Sequence, residues 1–180
     1  MLKEIICSGF GGQGVLTAGK LLLYAAYKNN KKVTWFPSYG NEMRGGAANC
    51  NVVISDNKIA SPYADHPDIL MALNGPALDR FQATMKSGGQ LFINSSLVEE
   101  DKYEIRDDVE VFKAPVTDVA ISLNNERAAN ICMLGYICKK TGLFTKEEFE
   151  ASMCEYFENS GKGKHNAKNV EAFEAGYNLD

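Results

Sequence analysis

The 180-residue sequence has no apolar run that could cross a bilayer: the longest, residues 21–27, spans seven positions where about twenty are needed. No secretory leader is expected, because Lys3 and Glu4 are followed at once by Ile5-Ile6-Cys7 and then by glycines, which is not a secretory pattern. It lacks a basic excess: 19 Lys and Arg against 23 Asp and Glu give a net charge of −4, which removes the footprint that displaces counterions from nucleic acid. The five cysteines (7, 50, 132, 138 and 154) include no CxxC pair. An odd, scattered set excludes a disulfide framework and a four-thiolate cluster, and points to free, buried thiols in a reducing cytoplasm. Cys132 and Cys138 are too far apart to share a helical turn, and His66 and His165 have no ligand pattern around them, so no metal site is expected. There is no GxSxG elbow, no Gly-Lys-Ser/Thr and no Cys–His or Ser–His spacing that would mark a nucleophile. Lys20, inside the first helix, reads as a surface charge.

Against these absences stands an ordinary globular balance, 45% hydrophobic and 23% charged. Short apolar runs alternate with helical stretches, which predicts an α/β fold: a Rossmann-like, mostly parallel sheet with an antiparallel hairpin and a C-terminal helical tail. Strands are expected over 3–8, 33–36 (halted by Pro37-Ser38), 69–73, 90–93 and 109–112. The hairpin is expected between 51–54 and 58–60 through Ser55-Asp56-Asn57. Val15, Ala18, Gly19, Leu22 and Ala26 repeat at helical spacing over 15–29, and further helices are expected over 77–85 and 126–140, the last ending at Gly142. From Thr145 the character changes. Thr145 and Glu148 form a capping-box pattern, Phe149, Met153, Tyr156 and Phe157 share one face, and Glu147, Glu148, Glu150, Glu155 and Glu158 oppose Lys146 on the other. That charge run reads as a solvated face or a docking surface, and a last helix is expected over 169–177. Residues 1–180 are taken as a single domain, with a core over 1–143 and a helical tail over 145–180.

Two glycine-rich segments carry the chemistry. Gly9-Phe10-Gly11-Gly12-Gln13-Gly14 fits GxGxxG between a strand and a helix, where a backbone free of side chains turns tightly and aims N–H groups at an anion. A dinucleotide would also need an acid at the end of the second strand. That strand runs into Trp35-Phe36-Pro37-Ser38, with Glu42 the first acid beyond it. The second segment is Pro37-Ser38-Tyr39-Gly40-Asn41-Glu42-Met43-Arg44-Gly45-Gly46, a long loop whose Arg44 could meet a phosphate or carboxylate, or pair with Glu42 at the surface. Asn74, Asn94 and Ser95 fall at the carboxyl ends of buried strands, which line the ligand crevice of an open α/β sheet. The glycine loop, the Arg44 loop and these polar residues are therefore expected to share one rim.

Residues 9–20 (GFGGQGVLTAGK) and 37–56 (PSYGNEMRGGAANCNVVISD), continued by Ile59-Ala60-Ser61-Pro62 and by residues 68–74 and 88–96, resemble the gamma subunit of 2-oxoacid:ferredoxin oxidoreductases. The likeness covers roughly residues 3–143 and is nearer the 2-oxoglutarate and branched-chain types than the pyruvate type. It implies a non-catalytic subunit of a complex that converts a 2-oxo acid and coenzyme A to acyl-CoA, CO2 and reduced ferredoxin. Thiamine diphosphate, Mg and iron–sulfur clusters would sit on the alpha, beta and ferredoxin-like delta partners, and no cofactor would be bound by this chain alone. The resemblance assigns Gly11, Gly12, Gln13 and Gly14 to phosphate contact on the coenzyme A side. It turns the loop of Tyr39, Glu42, Met43, Arg44, Gly45 and Gly46 toward the catalytic partner. Asn41 stands where members usually carry Pro before Glu-Met-Arg. The competing readings are a self-sufficient oxidoreductase using NAD(P) or flavin, and a small-ligand binding module without catalytic partners.

Overall fold

A computed structural model of the protein describes residues 1–39 and 47–180. In chain order the elements are β1 (Leu2–Phe10), α1 (Val15–Lys28), β2 (Lys32–Tyr39), β3 (Ala47–Ser55), β4 (Ile69–Ala72), α2 (Gly75–Phe81), β5 (Gln90–Asn94), β6 (Glu110–Ala114), α3 (Val116–Ser122), α4 (Ala129–Thr141), α5 (Lys146–Asn159) and α6 (Asn166–Tyr177). The strands form one six-stranded sheet in the order β2-β3-β1-β4-β5-β6. β3 runs against both of its neighbours, and β1, β4, β5 and β6 are parallel. The fold class expected from the sequence is the one observed.

The hairpin lies elsewhere than expected. It joins β2 to β3, and residues 58–60 form no strand. β3 has β2 on one side and β1 on the other, so it has no free edge to offer residues 58–60. The Ser55 hydroxyl accepts the Asn57 N–H at 3.0 Å, an ST-turn that bends the chain off the sheet. Pro37 also fails to halt its strand, and the register explains why. The Asp56 N–H to Met1 carbonyl bond sets the phase of the β1–β3 ladder, so that Cys7 and Cys50 are a hydrogen-bonded pair. The backbone polar groups of Cys50 therefore point to β1. Opposite Cys50 on β2 stands Pro37, whose nitrogen faces outward from the edge and forfeits no ladder bond.

One face of the sheet (Ile5, Cys7, Cys50, Val52, Ile54, Ile69, Met71 and Phe92) packs beneath α1 and α4 in a cluster that also takes Phe149 and Met153 of α5 and Phe173 of α6. The other face (Ile6, Leu70, Ala72, Leu91 and Ile93) lies under α2. The tail is built as its sequence suggests: Thr145 Oγ1 accepts the Glu148 N–H at 3.1 Å and Glu148 Oε2 accepts the Thr145 N–H at 2.9 Å. Phe149 stacks on Phe173 with centroids 4.9 Å apart. Much of the acidic face of α5 is spent within the chain. Glu155 pairs with Lys28 of α1 at 2.9 Å, Glu150 lies 3.8 Å from Lys146, and Glu158 accepts from Asn166 at 3.2 Å. Among the described residues no helix is long and apolar enough to cross a membrane.

Candidate functional site

The strands on either side of the second motif reach the carboxyl edge of β1. Gly9 and Phe10 pair with Ala48 and Ala47, and Tyr39 ends β2 opposite Ala48. The strands flanking the second motif therefore begin and end beside the glycine loop. Glu42, Met43, Arg44, Gly45 and Gly46, with the side chain of Tyr39, lie outside the described residues.

The glycine loop has a definite shape. Gly12 (φ 103°) and Gly14 (φ 73°) are left-handed, a region that side chains disfavour. Gly14 occupies the N-cap of α1, and no side chain caps that end. The first turn of α1 carries no acid, so its partial positive charge is not offset locally. The N–H groups of Gly11, Gly12 and Gly14 have no acceptor among the described residues. That is the donor set an anion requires at a helix N-terminus.

Gln13 holds the loop in place. Its Oε1 accepts the Phe10 N–H at 2.6 Å and Asn74 Nδ2 at 2.9 Å, and its Nε2 donates to the Leu73 carbonyl at 3.4 Å. Asn74 Oδ1 accepts the Ala77 N–H at 2.9 Å and so caps α2. The Leu73 carbonyl also accepts from Asn94 Nδ2 at 3.1 Å, and the same nitrogen donates to Thr117 Oγ1 of α3 at 2.9 Å. The structure thus joins half-buried Gln13 with buried Asn74 and Asn94 in one amide network across the ends of β1, β4 and β5. Ser95 stands apart: it is exposed, and its N–H donates to the Ala114 carbonyl at 3.0 Å. Sequence reasoning missed Thr117 and Asn130. Asn130, on α4, donates from Nδ2 to the Gly14 carbonyl at 2.9 Å. Its only sequence signal is an amide within the apolar face of a helix. Asn94 Oδ1 and Asn130 Oδ1 are buried without a partner among the described residues.

Titratable chemistry is sparse here. Burial pushes the Cys132 thiol up to about 12 and raises Cys138 as well, so both are inert thiols of the core. Among the described residues no group of three or more His, Cys, Asp or Glu could hold a metal. Lys20 is exposed, and its ammonium lies 5.1 Å from the centre of the Trp35 ring.

Topology bears directly on the dinucleotide reading. In a dinucleotide fold the strand beside β1 is parallel to it and ends, at the same edge, in the acid that holds the ribose. Here that place belongs to β3, which runs the other way and ends in Ser55 at the amino end of β1. Fold and site together define a Rossmann-like domain that leaves backbone N–H groups unpaired before α1, among the described residues, and has no acid at the end of the strand beside β1.

Residues 4–179 match the sequence profile of the pyruvate ferredoxin/flavodoxin oxidoreductase family, and the chain belongs to that family. It is 40% identical over 182 residues to the 2-oxoglutarate synthase subunit KorC of Methanocaldococcus jannaschii, covering 99% of this chain and 94% of that one. It is 37% identical over 171 residues to the ketoisovalerate oxidoreductase subunit VorA of Methanothermobacter marburgensis, covering 94% of this chain but only 34% of that one. The chain therefore spans about a third of one type of relative and nearly the whole of another. Among solved structures, the keto/oxoacid ferredoxin oxidoreductase gamma subunit of Geobacter sulfurreducens superposes with a TM-score of 0.83 at 29% identity, over 98% of this chain and 95% of that one.

Proposed function

We propose that the chain is the non-catalytic gamma subunit of a thiamine-diphosphate-dependent 2-oxoacid:ferredoxin oxidoreductase, forming with alpha, beta and ferredoxin-like delta subunits a cytoplasmic complex. The reaction is oxidative decarboxylation of a 2-oxo acid with coenzyme A, giving acyl-CoA, CO2 and reduced ferredoxin. Support comes from the match to free-standing subunits of its own length, with 2-oxoglutarate or a branched-chain 2-oxo acid as the favoured substrate class. Residues 1–180 act as one gamma-subunit domain, with the helical tail clamped on the core. Thiamine diphosphate with Mg, held by another subunit, would supply the decarboxylation chemistry, and iron–sulfur clusters on ferredoxin-like chains or domains would carry the electrons.

What this chain adds is a place for the phosphates of coenzyme A. The observation that carries this reading is the uncapped, left-handed Gly14 at the N-terminus of α1, preceded by N–H groups of Gly11 and Gly12 that have no acceptor among the described residues. These donors fit a phosphate. Gln13, Asn74 and Asn94 are spent on one another and on the backbone, and therefore position the loop, while exposed Ser95 offers its hydroxyl at the rim. In this reading Tyr39, Glu42, Met43, Arg44, Gly45 and Gly46 are the residues that meet the catalytic partner.

The test is co-purification from native extract, followed by titration of complex and isolated chain with coenzyme A, NAD(P)H and flavin. Recovery with thiamine- and iron-containing chains, and binding of coenzyme A alone, is the expected result. A chain that elutes at its own mass and binds NAD(P)H or flavin at micromolar concentration overturns the reading.

A further inference from the structure

Cys7 and Cys50 lie directly opposite each other in the β1–β3 register, and both are fully buried on the helix-covered face of the sheet. Their thiols face each other from opposite strands on that one face. They stand at the root of both glycine-rich motifs: Cys7 lies two residues before Gly9, and Cys50 three residues into β3. Above them α1 passes so closely that a Cβ on Gly19 would run into Cys50 Sγ and lie 2.8 Å from Trp35 Nε1. Trp35, the only tryptophan, thus keeps a buried indole N–H near the Cys50 sulfur, with no hydrogen-bond partner among the described residues.

We propose that Cys7 and Cys50 form a reversible dithiol–disulfide couple that a hydroperoxide closes. Cys50 is the attacking sulfur. In the thiol form it donates to the Val15 carbonyl at 3.6 Å. As a thiolate it is held below the usual thiol range first by the Cys7 S–H and then, against burial, by the Trp35 N–H, while Cys7 is raised by the same bond. The Cys50 thiolate attacks the peroxide: a sulfur–oxygen bond forms, the oxygen–oxygen bond breaks, and the leaving oxygen departs as hydroxide or alkoxide and takes a proton. Cys7 then attacks the Cys50 sulfenic acid. The sulfur–sulfur bond forms, the sulfur–oxygen bond breaks, and water leaves with the Cys7 proton. Two thiols lose two electrons, and one hydroperoxide is reduced to an alcohol (water, from hydrogen peroxide) and a second water.

Position in the ladder makes the bond a switch and not a staple. A hydrogen-bonded antiparallel pair separates its Cα atoms by about 5.5 Å, inside the range a disulfide spans. Its Cβ atoms stand about 5 Å apart, and they must close to ~3.8 Å. A bond that draws two sheet strands together in this way is strained and easily reduced. Because the sulfurs are buried, oxidant reaches them when the α1–β2 contact opens locally. Closure shifts the roots of the glycine loop and of the segment entering β3.

The test treats the full-length chain with hydrogen peroxide and blocks remaining thiols in denaturant, followed by peptide mapping and Trp35 fluorescence. The expected result is loss of two hydrogens from the intact mass, a Cys7–Cys50 cross-linked peptide, and a change in Trp35 emission that dithiothreitol reverses. Cys7→Ala should lose the cross-link and halt at Cys50 sulfenic acid, which dimedone traps. The map of the unsubstituted chain decides the matter even if that variant folds poorly. Oxygen added at Cys154 with Cys7 and Cys50 still free, or a cross-link between any other pair, overturns the proposal.

Discussion

Asn130 Nδ2 donates to the Gly14 carbonyl at 2.9 Å, tying α4 to the first residue of the α1 cap across 116 positions of sequence. The same carbonyl accepts the Ala18 N–H at 2.9 Å, so the start of α1 is held from inside the helix and from outside it. Asn130→Ala should therefore cost about 1–2 kcal/mol in urea unfolding and speed amide exchange in the first turn of α1. Asn130→Asp is nearly isosteric but sets an acceptor against an acceptor. Its new carboxyl is pushed above the usual carboxylate range in the folded state, so stability should rise as pH falls through that raised value. Equal stability of the two variants across pH 4–8 (as a rough window of about 4 units) would show that the contact carries no such load.

Gln13 is the one side chain of the glycine loop that touches three other residues. Gln13→Ala frees the Phe10 N–H and the Asn74 amide, and leaves Gly12 and Gly14 without a brace. In the assembled complex the KM for coenzyme A should rise about tenfold, a loss of roughly 1.4 kcal/mol, with kcat little changed. Steady-state kinetics with coenzyme A as the varied substrate reads this. An unchanged KM would move the phosphates away from this loop.

Thiol reactivity should follow burial. Only thiolates alkylate at useful rates, and the Cys132 and Cys138 thiols are raised far above neutral pH by desolvation. Brief iodoacetamide treatment of the native chain at pH ~8 should label Cys154, which is partly exposed, and spare Cys132 and Cys138 until denaturant is added. Mass mapping of the alkylated peptides checks the order.

Asp56 gives a pH signature at the amino end of the sheet. Its carboxylate lies 2.6 Å from Lys31 and also meets the amine of Met1, and these contacts lower it to about 2, with Lys31 the larger cause. A carboxyl depressed on folding adds stability above its unfolded value near ~3.9, and loses it as pH falls toward the folded value. Lys31→Ala should bring the Asp56 titration upward, as read by carbon-detected NMR. The effect on unfolding should stay small, because the group is exposed and solvent screens it.

Where α4 and α6 cross, a Cβ on Gly176 would run into the Cys132 carbonyl, and one on Gly135 into the Phe173 carbonyl. Neither backbone can yield, so Gly176→Ala should cost more than Phe149→Ala, itself worth about 3–5 kcal/mol for a fully buried ring. Chemical denaturation of both variants tests the ranking. Phe149→Ala at parity with the unsubstituted chain would mean that α5 does not share the core.

Much of this architecture was legible because its signals are local. The alternation of apolar runs, the Thr145–Glu148 box and Gly142 at φ 62° after α4 each report on a few neighbouring residues. The misplaced hairpin has a different origin. Ser55-Asp56-Asn57 is good turn chemistry, but whether a strand follows depends on a free sheet edge, which only the global strand order reveals. α3 went unseen because seven residues with four β-branched side chains give a weak helical pattern. At the site, Gln13 was readable as part of the glycine loop, and Asn74 and Asn94 as strand-end polar residues. Their use on one another, with Thr117 and Asn130, is a matter of long-range contacts that no spacing encodes.

Pro37 sits on β2 with its nitrogen turned away from the molecule. A further strand laid along that margin would find no donor there, and the proline ring would obstruct its approach. β2 is therefore a terminus of the sheet by chemistry as well as by position, and end-to-end polymerisation or domain exchange through it is disfavoured. Whatever meets this flank must recognise side chains, because the continuous backbone template is interrupted just before the segment that leads to the glycine loop's neighbours.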